Sequence, residues 1–115
     1  MDKTIALDLA DQTARNFGRA DADFAGKMAR RIRRKFTQTI SREAILVQAL
    51  HFRMIYEFAS ASLVDCLKAS EDGYAHSSNV DNEKYMSLLV KQFPQEERET
   101  LETISGWVIY YDYLH

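Results

Sequence analysis

The chain has 115 residues, 46% of them hydrophobic and 28% charged, and carries a formal net charge of −2. This composition excludes a disordered chain and predicts one globular domain over residues 1–115. Four glycines and one proline leave few breaks, which favours long helices over many short strands.

The first predicted helix covers residues 3–17, and the second starts just after residue 21 or 23 and ends at about residue 36. Gly18 follows the first helix and suits its C-terminal end, and Asp21 or Asp23 can cap the second. In the second helix, apolar residues recur every four positions at Phe24, Met28, Ile32 and Phe36. That spacing predicts a buried stripe on one side of an amphipathic helix. It also predicts that Arg30, Arg33 and Arg34 are directed largely to solvent or to a partner.

The third predicted helix is the long apolar segment 44–67, with outer bounds of about 42–69 and Ser41 as its cap. We expect Phe52, Ile55, Ala59 and Leu63 to be almost fully buried in it. Because the segment is apolar nearly all round, it should be packed on several sides. Polar residues along its length, such as Arg53 and Glu57, argue against a membrane span.

A polar loop over 69–82 separates this helix from a short one over 83–93, which Pro94 ends. The last segment has Leu101, Ile104, Val108 and Tyr111 at helical spacing, although 107–114 is also rich in strand-forming residues. We predict a helix there because no partner strand is visible. The fold class is therefore all-α, a compact bundle of four to five helices around the central helix.

Charge is divided unevenly along the chain. Residues 15–53 carry ten Lys and Arg against three Asp and Glu, whereas residues 54–115 carry four against eleven. Such a chain either pairs its two halves internally or presents faces of opposite sign.

The second predicted helix concentrates the positive charge in the run 27–35. Its cations are Lys27, Arg30, Arg31, Arg33, Arg34 and Lys35. Arginine forks suit phosphate oxygens, so this run predicts a site for nucleic acid or another acidic partner. The other interpretation is a solvated face paired internally with the acidic residues Glu96, Glu97, Glu99 and Glu102.

A helix–glycine–helix arrangement precedes the basic run, with Ala14 and Gly18 at the spacing found in helix-turn-helix motifs. Arg19 and Lys27 fall where that motif needs apolar residues. Contact with a phosphate backbone is therefore the better hypothesis than reading of bases.

The C-terminal segment holds a second candidate surface, made by Trp107, Tyr110 and Tyr113. These residue types are enriched at binding hot spots, so the segment predicts a protein partner or a homodimer contact. In the alternative interpretation, Trp107 and Tyr111 lie in the core and the other tyrosines at its rim.

Catalytic chemistry has little support in the sequence. The histidines at 51, 76 and 115 lack metal-ligand spacing, and no glycine-rich phosphate loop is present. We therefore expect a non-enzymatic protein with no catalytic residues, no metal site and no cofactor. A single cysteine, Cys66, and an N-terminus unlike a secretory signal point to the cytoplasm.

Two function hypotheses follow. The first is a small helical binding protein, an accessory subunit or a regulator or inhibitor, that docks its basic helix on nucleic acid or a nucleoprotein complex. The alternative is a protein-only adaptor or inhibitor, like an immunity protein, that binds through the acidic and aromatic segment 96–113.

Overall fold

The computed structural model describes residues 1–114, which form five α-helices. They are α1 (Lys3–Arg15), α2 (Ala22–Phe36), α3 (Arg42–Leu63), α4 (Asn82–Gln92) and α5 (Arg98–Ile109). A π-helical segment, Tyr110–Leu114, continues α5, and residues 1–114 contain no strand. The predicted all-α bundle is confirmed, and so is a helix rather than a strand after Trp107.

Side-chain caps fix where the first three helices begin. The Asp2 carboxylate accepts from the backbone N–H of Thr4, the Asp21 carboxylate from that of Phe24, and the Ser41 hydroxyl from that of Ala44. Each bond satisfies one of the free N–H groups in a first helical turn.

The end of α1 depends on glycine. Gly18 has a φ of +78° and donates its N–H to the Thr13 carbonyl at 2.8 Å. A Cβ atom at this position would lie 2.9 Å from the Tyr56 ring. Both the backbone conformation and the close contact therefore require the absence of a side chain.

The helix α3 lies at the centre and packs against each of the other four helices. Its inner side contributes Phe52, Ile55, Ala59 and Leu63, all buried as predicted. They belong to one continuous core cluster that draws residues from every helix. In α2, Phe24, Met28 and Ile32 are buried and Phe36 is half-buried, which confirms the predicted stripe.

The predicted bounds of α3 were too long at the C-terminal end. The α-helix stops at Leu63, a 3₁₀ turn covers Val64–Cys66, and Leu67 is extended. Here the backbone exchanges helical hydrogen bonds for bonds to the loop, from Asp81 N–H to the Cys66 carbonyl and from Lys68 N–H to the Asn79 carbonyl. Local apolar content carried no information about this non-local pairing.

The predicted packing of α3 on several sides is confirmed, but one strip of its apolar surface is exposed. Val47, Leu50 and Met54 are 69%, 44% and 60% exposed, and they follow one another along its outer face. Four neighbouring helices cover the inner and lateral sides of α3 and leave this strip open. No helix within residues 1–114 is both long enough and apolar enough to cross a membrane.

Candidate functional site

The basic helix α2 divides its cations between two sides. Burial of Phe24, Met28 and Ile32 turns the opposite side outward, and the cations occupy a broad arc around it. We call Lys27, Arg31 and Lys35 the paired flank, because each makes an ion pair within the chain.

The partner of the paired flank is Asp8 of α1, together with Asp23 within α2. Arg31 donates from Nε and Nη2 to the two oxygens of Asp8 at 2.8 and 2.9 Å, and Lys35 donates at 3.0 Å. The Asp8 side chain is only 10% exposed. The hydrogen bond from Arg31 lowers the pKa of Asp8, although burial acts in the opposite direction.

The other side of α2 carries arginines that are free of such pairing. Arg30, Arg33 and Arg34 are exposed, and none makes an ion pair with a residue in 1–114. Their spacing of three and four residues places them on neighbouring positions of one helix surface. Sequence reasoning predicted this outward direction, and the exposure of the three side chains confirms it.

A fourth arginine joins this surface from the first turn of α3. Arg42 is exposed and lies over Gly26, where a Cβ would sit 3.5 Å from its guanidinium carbon. It too lacks an ion pair within the described chain. We call Arg30, Arg33, Arg34 and Arg42 the arginine face.

The sequence analysis did not predict Arg42 as part of this surface. Arg42 belongs to α3 in the sequence, and its contact with α2 exists only in the folded structure. The contact depends on how α3 packs against α2, and no local feature of the sequence indicates it.

The acidic segment does not neutralise the basic helix. Glu96 contacts His51 at 2.5 Å, Glu97 pairs with Lys3, and Glu102 pairs with Arg98. Among residues 1–114, the basic helix therefore pairs with Asp8 of α1 and with its own Asp23, and not with the segment 96–102.

The C-terminal aromatic residues form a different surface, against α1. Trp107 donates its Nε1–H to the Asp11 carboxylate at 2.7 Å, and the Arg15 guanidinium lies 5.1 Å from the centre of the indole ring. Tyr111 stacks on Trp107 with ring centres 5.5 Å apart and donates its hydroxyl to the Arg15 carbonyl. Both Trp107 and Tyr111 are half-buried.

An open groove of about 770 Å³ runs between α1 and α5 at this point, and we call it the aromatic groove. Trp107 and the exposed Tyr110 line it, but Tyr113 does not and packs instead on the core. The sequence did not predict Asp11, Arg15 and Gly106 as lining residues. Their place in the groove depends on α1 lying beside α5.

The described part of the chain shows no group of three or more His, Cys, Asp or Glu residues that could hold a metal ion. His51 contacts Glu96, and His76 contacts Asp72 in the loop. His115 lies outside the described residues. Burial raises the pKa of the Cys66 thiol, which keeps that thiol in its unreactive form.

No protein-family model, curated protein or solved structure matches the chain. The choice of a function therefore depends on the surfaces described above.

Proposed function

We propose that this protein is non-enzymatic and acts by docking the arginine face on the phosphate backbone of nucleic acid or of a nucleoprotein complex. The observation that supports this most directly is the set of four exposed arginines, none of them paired with an acid in residues 1–114. Like charges held this close repel one another unless an anion lies between them. A bound phosphate backbone would supply that anion and release its own counterions.

The residue type of the four cations favours phosphate as their ligand. All four are arginines, whose planar forks can donate two parallel hydrogen bonds to one phosphate. Contacts of this kind position a protein without reading sequence. We therefore expect similar affinity for duplexes of different sequence.

Charge reversal at Arg30 and Arg34, which are one turn apart, tests the proposal. Binding of a fluorescently labelled DNA duplex at low salt should weaken about tenfold or more in Arg30→Glu/Arg34→Glu. The matched control is Lys68→Glu/Lys91→Glu, which changes net charge equally at exposed lysines on the loop and on α4.

The control variant should lose much less affinity than the arginine-face variant. Equal losses in the two variants would mean that only net charge matters and would contradict a docking surface on α2. Absence of duplex binding by the unmodified protein at low salt would reject the proposed function outright.

The second candidate is a protein-only adaptor or inhibitor that binds through the segment 96–113. The aromatic groove favours it, because Trp107 and Tyr110 line an open surface. A partner held there would be retained at salt concentrations that release a phosphate backbone. Both candidates carry the expectation of a cytoplasmic protein, which the single, buried and unpaired Cys66 supports.

A further inference from the structure

Three features in or beside the aromatic groove depart from the usual sequence or geometry of a helix. Phe17 has a φ of +60°, a conformation that usually falls to glycine or asparagine at the end of a helix. Phe17 is 68% exposed, and the centre of its ring lies 4.4 Å from the centre of the Tyr111 ring. An apolar ring is thus held in an unfavourable backbone conformation at the edge of the groove, where it extends the aromatic surface.

Gly106 is the second departure. It lies inside α5, where glycine favours the helix less than alanine does. A Cβ at this position would meet no atom within 4 Å, so packing inside the described chain does not explain the glycine. Since Gly106 lines the groove, its missing side chain keeps that surface flat and accessible.

The third departure is the change from α-helix to π-helix at Tyr110. This change alters the directions of the side chains from Tyr110 onward. Short π-helical segments occur often at functional sites. Three irregularities therefore lie in or beside one groove, a pattern expected where structure serves binding.

The lining indicates the charge of the ligand. Asp11 on the α1 side and Glu102 on the α5 side are acidic, and Arg15 is the one basic residue that lines the groove. The indole of Trp107 already attracts the guanidinium of Arg15, as aromatic faces attract cations. One oxygen of Asp11 already accepts from Trp107, and one oxygen of Glu102 already pairs with Arg98, so each carboxylate offers only its second oxygen to a ligand. A phosphate would be repelled by both carboxylates, whereas a cation would be attracted by them and by the aromatic face.

We propose that the aromatic groove binds an arginine or lysine side chain of a partner protein, at the position that Arg15 occupies in the free protein. Arg15 is exposed and makes no ion pair within residues 1–114, so its side chain can be displaced at small cost. The Arg15 carbonyl keeps its bond from Tyr111 whichever side chain is present. This site is separate from the arginine face, so the two proposals can fail independently.

The test uses the single tryptophan, Trp107, as a fluorescent reporter inside the groove. The probe is an acetylated octa-arginine peptide, with octa-glutamate as the opposite charge. Octa-arginine should change the Trp107 emission saturably, and octa-glutamate should not. Absence of a saturable change with octa-arginine would overturn the proposal.

Arg15→Ala gives the sharpest comparison. If the groove binds cations, this substitution should raise the affinity for octa-arginine, and if it binds anions, the substitution should lower it. Loss of the competing guanidinium should tighten octa-arginine binding about two- to fivefold. Lys68→Ala removes the same charge outside the groove and should change affinity less. Weaker octa-arginine binding in Arg15→Ala would show an anion site and overturn the proposal.

Two further variants test the groove itself. Gly106→Leu places a side chain in open space, so the protein should fold while octa-arginine binding is lost. Glu102→Gln should weaken binding about two- to fivefold, and Glu99→Gln, one turn away and outside the aromatic groove, should leave it nearly unchanged. Unaltered binding in a folded Gly106→Leu protein would place the peptide elsewhere and contradict the assignment.

The Arg30→Glu/Arg34→Glu variant separates this inference from the proposed function. It should lose duplex binding and keep the octa-arginine response of Trp107. If it loses the Trp107 response as well, the groove is not an independent site and the inference fails.

Discussion

The two sides of α2 carry the same residue types and have different physical roles. On the paired flank, Arg31 and Lys35 share the nearly buried carboxylate of Asp8, so their charge is used to join α2 to α1. On the arginine face, Arg30, Arg33 and Arg34 are exposed and have no acid within the described chain. The contrast shows that the number of cations in a run does not give the charge available to a partner.

The largest effect expected within the fold comes from Asp8→Asn. It removes the carboxylate that holds Arg31 in a two-pronged hydrogen bond, so the free energy of unfolding should fall by about 1–2 kcal/mol. Asp65→Asn is the matched control, since Asp65 is an exposed aspartate without an ion pair in residues 1–114. Urea denaturation measures both.

Asp8→Asn should lower stability but strengthen the proposed binding to duplex DNA. Arg31 and Lys35 become available to phosphates, so affinity for duplex DNA should rise and its salt dependence steepen. If Asp8→Asn costs no more stability than Asp65→Asn, the paired flank does not stabilise the fold and the contrast between the two sides of α2 is lost.

Acid should remove the stabilisation from Asp8. The pKa of Asp8 is lower in the folded protein than in the unfolded chain, so its contribution is complete above about pH 4, the ordinary value for aspartate. It is lost as the pH falls through the lowered folded pKa. The difference in unfolding free energy between the native sequence and Asp8→Asn should therefore shrink steadily below pH 4.

The pH series should be measured with both proteins in the same buffers, because other aspartates, including Asp21 and Asp23, also have lowered pKa values. Their contributions are common to both proteins and cancel in the difference. A difference that stays constant from neutral pH to pH 2 would contradict the assignment to Asp8.

The smallest effect concerns Gly26, beneath Arg42. A Cβ there would make an ordinary 3.5 Å contact with the guanidinium carbon, so Gly26→Ala should raise the free energy of unfolding by about 0.5–1 kcal/mol through helix propensity. Duplex binding should be retained. A clear loss of stability would mean that Arg42 packs on α2 as a structural residue and does not belong to the unpaired arginine face.

Regular elements were predictable because their signals are local. The four-residue spacing of Phe24, Met28 and Ile32 and the capping side chains of Asp21 and Ser41 lie within the segments they specify. The exposure of Arg30, Arg33 and Arg34 follows from the same spacing, since burial of one side of a helix exposes the other.

Contacts between distant residues were not predictable from one sequence. Asp8 is 23 residues from Arg31, and their pairing depends on how α1 lies against α2. The early end of α3 likewise depends on hydrogen bonds to residues 79 and 81. In the aromatic groove, Trp107 could be identified from its residue type alone. Asp11 and Arg15 could be identified only once the packing of α1 on α5 was known.

The measurement that tests the central claim most directly is the salt dependence of duplex DNA binding by the unmodified protein. Four phosphate contacts through the arginine face predict a slope of log affinity against log salt between about −3 and −4, whereas six cations would give about −5. A slope in the predicted range, reduced by about two in Arg30→Glu/Arg34→Glu, would support the separation of the two sides of α2. No measurable binding at low salt, or a slope that Arg30→Glu/Arg34→Glu leaves unchanged, would contradict it.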